Sequence, residues 1–169
     1  MKTRTLIFVL LVLPVLAYGQ VSPAAYVNFE SAQTNPLRIS ADGTRLFAVN
    51  TADARVSVFD LAQPSNPALM AEIPVGIEPV SVNPRTNDEV WVVNQVSDSI
   101  SIVSVSRRIV TDTIYVNDEP ADVVFAGNQL AFVSVARRNQ VRVFSTWSFV
   151  SHARRACATP ISMCWSAPN

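Results

Sequence analysis

Hydrophobic and polar positions alternate with a period of two through most of the chain from about residue 35 to residue 144, while the 3.6-residue period of a helix is nearly absent. The densest stretch is residues 89–103, EVWVVNQVSDSISIV, which holds two strand signals in one short span. Residues 90–93 form a continuous β-branched and aromatic run, and residues 99–103 alternate. A polar connection over residues 94–98 separates them, so the pair reads as a hairpin.

The same pattern is written three times. Pro36, Pro79 and Pro120 are spaced by 43 and 41 residues, and each is followed by an apolar residue that opens a short strand. After each proline comes a second run, LFAVN ending at Asn50, VWVVN ending at Asn94 and LAFVS ending at Ser134. A third follows, RVSVFD, SISIVS and QVRVFS. Residues 69–75 and 109–116 supply a fourth strand in the first two units, and the links VGIEP and VNDEP carry the chain to the next unit. Turn chemistry sits between the runs, with Asp42-Gly43, Asn87-Asp88 and Gly127-Asn128 at matching points. Pro64 and Pro67 keep the connection after Leu61 out of the sheet.

A four-stranded antiparallel unit of about 42 residues has the size of a β-propeller blade. The repeated segments, above all VWVVN with its companions LFAVN and SISIV, resemble the YVTN family of β-propeller repeats found in secreted and surface-layer-like bacterial proteins. The fold this implies is all-β, a partial β-propeller of about three four-stranded antiparallel blades. Its divisions are a signal peptide at 1–19 and a segment at 20–34 with a strand resembling a closing outer strand. Blade 1 follows at 35–76, blade 2 at 77–118, a partial blade 3 at 119–144, and an irregular or disordered tail at 145–169. Gly76 alone keeps the glycine that the family places before the proline, and Ser134 stands where the family has asparagine. Propellers close with about four to eight blades, so three imply an incomplete ring.

The first nineteen residues change the picture of where the protein works. Lys2 and Arg4, an apolar run over 5–16 broken by Pro14, and small residues around Ala17-Tyr18-Gly19 make a secretory signal. About a dozen apolar residues fall short of the roughly 20 that a membrane span needs, so the expected location is secreted, periplasmic or at the cell surface, with no span in the mature chain. Without the two basic residues of that signal the balance is 11 − 13 = −2 from the counted charges, and no basic patch of the kind nucleic acid requires is present. The tail from residue 145 has two arginines and no acids, with the single histidine, both cysteines and two of three tryptophans. A Cys157–Cys164 disulfide there would staple only the tail.

Candidate chemistry is sparse. His152 lies outside the repeats, so the blades hold no material for a Ser-His-Asp triad, and the two cysteines have no companion ligands. No catalytic residue, metal site or cofactor is therefore assigned. If the first strand of each blade is innermost, as the resemblance implies, Glu78 and Glu119 sit at equivalent points near the channel entrance, and Asp118 and Asp122 add negative charge. These four are the candidate ligand-binding residues, through oxygen ligation of a cation or a polar ligand; capping of backbone amides is the competing role. Asn50 and Asn94 read as loop-bonding residues, Trp91 as packing, and Arg107-Arg108 and Arg137-Arg138 as solvated charge. The function implied is a non-enzymatic secreted module binding a protein, glycan or small ligand through loops on one face, with self-association through its open blade ends. The alternative is the N-terminal part of a propeller enzyme of lactonase or lyase type whose catalytic blades are missing.

Overall fold

A computed structural model describes residues 32–146 and the backbone of 163–164. The signal segment, the strand expected within 24–30, His152 and Cys157 lie outside the described residues. Within them the chain folds as three four-stranded antiparallel sheets. The first holds β1 (Leu37–Ile39), β2 (Arg45–Asn50), β3 (Arg55–Asp60) and β4 (Ala68–Pro74); the second holds β5 (Pro79–Pro84), β6 (Glu89–Asn94), β7 (Ser99–Ser104) and β8 (Ile109–Tyr115). The third holds β9 (Pro120–Ala126), β10 (Leu130–Val135), β11 (Gln140–Ser145) and β12 (Met163–Cys164). Each sheet is a meander in which sequence neighbours pair, the arrangement of a propeller blade. No α-helix occurs among the described residues, and a 3-10 turn spans Ala136–Arg138.

Two features differ from the sequence expectation. The tail is not wholly irregular, because Met163 and Cys164 pair with Val141 and Gln140 and give blade 3 a short fourth strand. The register of blade 3 also moves by one residue. Asn50 and Asn94 stand opposite Arg55 and Ser99 at the mouths of their hairpins, and the residue in that place in blade 3, opposite Gln140, is Val135. Ser134 lies one step inside β10, opposite Asp122. Bulges at Pro79/Ser81 and at Ser134/Val135 fall at matching places in blades 2 and 3, while the β1–β2 pair has none, so the fourteen-residue spacing of blade 1 does not carry over to blade 3.

The period-two patterning becomes two interblade cores. Phe47, Val49, Val56, Val58 and Ile73 of blade 1 pack on Val82, Val90, Val92 and Val103 of blade 2. Trp91, Val93, Ile100, Ile102 and Ile114 on the other side of blade 2 pack on Val123, Ala131, Val133 and Phe144 of blade 3. Blade 2 is therefore apolar on both faces, which is why 90–93 reads as a continuous apolar run rather than an alternation. Trp91 is fully buried, meets Phe125 edge-to-face at 5.1 Å, and its indole Nε1 donates to Glu89 Oε1 at 2.7 Å. On the face that carries the β1–β2-type turns, Arg45 donates to the Asn87 carbonyl, and Arg85, paired with Glu89, donates to the Asn128 carbonyl, so each arginine ties one blade to the next.

Carboxylates in these turns are held ionised by local donors. The Ser40 hydroxyl and the backbone and hydroxyl of Thr44 lower Asp42 to about 2. For Asp88, burial opposes ionisation, but the Ser106 amide and the Ser106 and Ser104 hydroxyls outweigh it and the pKa is lowered.

The links VGIEP and VNDEP fold over the hairpin of the blade they enter: Gln95 N–H donates to the Glu78 carbonyl, and Ala136 N–H to the Glu119 carbonyl. Gly76 is fixed by this packing. A Cβ there would lie 2.4 Å from Ser97 Oγ and 2.6 Å from Asn94 Cγ, and Asn94 is fully buried with its amide donating to Ser99 and Ser101. In blade 3 the same pair of places holds Asn117 and Val135, so loss of the glycine accompanies loss of the asparagine. Gly76→Ala is expected to cost roughly 1–3 kcal/mol by overpacking, seen as a fall of several degrees in the Tm followed by circular dichroism; an unchanged Tm counts against this packing.

Candidate functional site

The four carboxylates chosen from the sequence separate into three places, Glu78 at the first link, Asp118 and Glu119 at the second, and Asp122 within β9. Each link ends in a strand that starts on the face carrying the β2–β3-type hairpins. Glu78 and Glu119 both adopt positive φ, 53° and 59°, immediately before their prolines, and Asn117 and Asp118 do so as well. The repeated Glu-Pro pair thus turns the chain from the outer strand of one blade to the inner strand of the next. The helical region is disfavoured before proline, and a left-handed non-glycine residue persists only where its surroundings hold it.

At the second link those surroundings are arginines. Asp118 pairs with Arg138 at 2.9 Å and with Arg142 at 3.4 Å, and Arg142 also donates to the Val116 carbonyl. Glu119 faces Arg137 at 3.6 Å, and its N–H donates to Asp98 Oδ1 at 2.8 Å. Arg137 and Arg138, expected as solvated charge, are partners of the candidate acids. Beside them lies an open cleft of about 280 Å³ lined by Gln95, Val96, Asp98, Glu119 and Arg137.

Asp122 belongs to a different constellation, two residues further along β9. Its Oδ1 accepts from the Ser81 hydroxyl at 2.6 Å and from Asn83 Nδ2 at 3.0 Å, and its Oδ2 accepts from Asn35 Nδ2 at 2.5 Å. Asn83 also donates to Ser81 at 2.7 Å. Asn35 reaches this point because the segment before β1 runs beside β5: its N–H donates to the Val80 carbonyl, its carbonyl accepts from Val82, and Asn35 and Ser81 form a parallel bridge. Three polar side chains, two from the first strand of blade 2 and one from the segment leading into blade 1, therefore meet around a carboxylate on the first strand of blade 3. Ser81 and Asn83 are buried, and Asn35 and Asp122 are half-buried.

Sequence reasoning found Asp122 and missed its three partners. Asn83 and Ser81 occupy strand positions that are ordinary in an alternating pattern. The available signal was comparison between repeats, because the blade 3 residue in the register place of Asn83 is Val124, each lying opposite the aromatic residue of its second strand. Asn50 and Asn94 do bond locally: Asn50 Oδ1 accepts from the Asp53 amide, and Asn94 donates to Ser99 and Ser101. Among the described residues no group of three or more His, Cys, Asp or Glu is placed to hold a metal, and no helix is long and apolar enough to cross a membrane.

No family model and no curated protein matches the chain. Solved structures do. Hydrazine synthase of Kuenenia stuttgartiensis superposes with a TM-score of 0.61 at 25% identity over 73% of this chain and 37% of its own. A 6-phosphogluconolactonase-like protein of Bacteroides uniformis gives 0.56 at 16% identity over 79% and 43%, and the dihydro-heme d1 dehydrogenase NirN gives 0.54 at 18% over 64% and 25%. The chain spans less than half the length of each of these proteins. The matches establish the β-propeller fold. They also correct the expectation of a non-enzymatic binding module: the propellers that this chain resembles include lactonase-like and dehydrogenase proteins, so the alternative of a propeller enzyme is the one carried forward.

Proposed function

We propose that these three blades are part of a propeller enzyme of lactonase or lyase type, in which they form a section of the channel wall and the catalytic groups stand on other blades. The observation that carries this is the cluster around Asp122. Burying polar groups costs free energy even when they are bonded to one another, and apolar residues at the same places give equal or better stability. An aspartate surrounded by hydroxyl and amide groups on inner strands suits a polyhydroxylated ligand, whose hydroxyls exchange with Ser81, Asn83 and Asn35 as partners of the carboxylate. Glu119 and Arg137 at the cleft offer such a ligand a second polar contact.

YVTN-type repeats and secretion belong to the same reading. The repeated VWVVN-like segments support the first, and the basic, apolar and small-residue order of residues 1–19 supports the second. The test is made on the complete ring. The full product of the reading frame containing these blades is assayed for opening of a sugar lactone, followed as acid release, and for double-bond formation in an acidic glycan. Turnover above the spontaneous rate in either assay, with a raised KM in Asp122→Ala, is the expected result. A complete product that binds and converts neither substrate contradicts the proposal.

A further inference from the structure

The strand register gives every blade two distinct faces. On the face turned to the preceding blade stand Leu46 opposite Phe59, Val90 opposite Val103 and Ala131 opposite Phe144. On the face turned to the following blade stand Phe47 opposite Val58, Trp91 opposite Ile102 and Phe132 opposite Val143. Two of these sets are already joined. Phe47 and Val58 share a core with Val90 and Val103, and Trp91 and Ile102 share one with Ala131 and Phe144. The pairs left over are Leu46/Phe59 on blade 1 and Phe132/Val143 on blade 3. They sit among exposed apolar neighbours, Leu37 at 56% and Ile39 at 58% on the first face and Val124 at 58% on the second.

We infer that these two faces are the halves of one repeated interface and that, in this chain on its own, a second copy joins them head to tail, blade 3 of each copy packing on blade 1 of the other. The occupant follows from the match. A preceding-type face and a following-type face are each complementary to the other kind and not to themselves, and one chain carries one of each. Two copies satisfy both faces of both chains at once, and six blades fall within the range of about four to eight at which propellers close, whereas three do not. A heterologous contact that closes after two steps is a ring rather than a filament. The inference rests on blade packing alone and is independent of the catalytic reading above.

The test is the mass of the purified chain by sedimentation equilibrium, for the natural sequence and for Phe132→Arg and Leu46→Arg separately, with strand content followed by circular dichroism. The expected result is a mass twice that of the chain, reduced to the single mass by either substitution while the strand signal persists. Dissociation by only one of the two substitutions means pairing of like faces and overturns the proposal. A ladder of larger species overturns the closed ring. A natural chain that stays single at micromolar concentration overturns it too, leaving the open faces to further blades of the enzyme. Should an arginine variant lose its strand signal, Leu46→Cys and Phe132→Cys chains lacking Cys157 and Cys164 are mixed under mild oxidation. A cross-linked heterodimer supports the head-to-tail contact, and its absence contradicts it.

Discussion

Trp91→Ala is expected to remove about 3–5 kcal/mol of stability, the range for truncating a large buried aromatic side chain. The indole is fully buried between blades 2 and 3, its ring meets Phe125 and its N–H is bonded to Glu89. Truncation therefore opens a cavity in one interblade core and at the same time takes a donor from a carboxylate that also serves Arg85. Because a domain of this size has only about 5–15 kcal/mol in total, the variant should unfold at much lower urea. Far-UV circular dichroism is the readout, since the substitution itself alters tryptophan fluorescence. A loss below about 1 kcal/mol contradicts the packing described for this interface.

Asp122→Ala comes second, with an expected loss of about 2–4 kcal/mol, from leaving three donors without their acceptor at roughly 1–3 kcal/mol for each that stays dry. The effect should be strongly non-additive with Ser81→Ala. Once the carboxylate is gone the hydroxyl has lost its bond across the blades, so a double-mutant cycle should give a coupling of about 0.5–3 kcal/mol. Additivity within about 0.3 kcal/mol means that the two side chains do not interact in solution. Asp122→Asn, which keeps one accepting oxygen, should lose less than the alanine variant.

Strand positions were legible in the sequence because each blade buries a patterned face. The runs 90–93 and 99–103 fall within β6 and β7 as the structure places them. The link repeats were legible for a related reason: Glu78 and Glu119 occupy the same backbone conformation in two blades. What could not be read was anything that depends on a single extra residue. Ser134 closes LAFVS fourteen residues after Pro120, the spacing of the bulge-free first blade, so it looked equivalent to Asn94, whereas blade 3 shares the bulge of blade 2 and the pairing gives that place to Val135. A one-residue slip exchanges the two faces of a strand, and with it the assignment of Phe132 to an open face rather than a core.

The site was harder still. Asp122 stood out by its charge near a link, but its partners come from residues 35, 81 and 83, and only the parallel run of the segment before β1 along β5 brings Asn35 within reach. Parallel pairing between segments so far apart leaves no local pattern. The roles of Arg137, Arg138 and Arg142 were hidden likewise, because basic residues at a hairpin look solvated until the preceding link folds onto them.

The account rests on three sheets stacked as consecutive blades, with the middle one enclosed on both faces. Apart from Glu89, every residue of β6 and β7 is buried, whereas the outer strands β4 and β8 are largely exposed. Native-state hydrogen exchange of the chain held in its single-copy form by Phe132→Arg tests this most directly. The slowest amides should fall in β6 and β7, exchanging only with global unfolding, with β1 and β4 orders of magnitude faster. Uniform exchange across the three sheets, or greatest protection in blade 1 or blade 3, would contradict the enclosed middle blade.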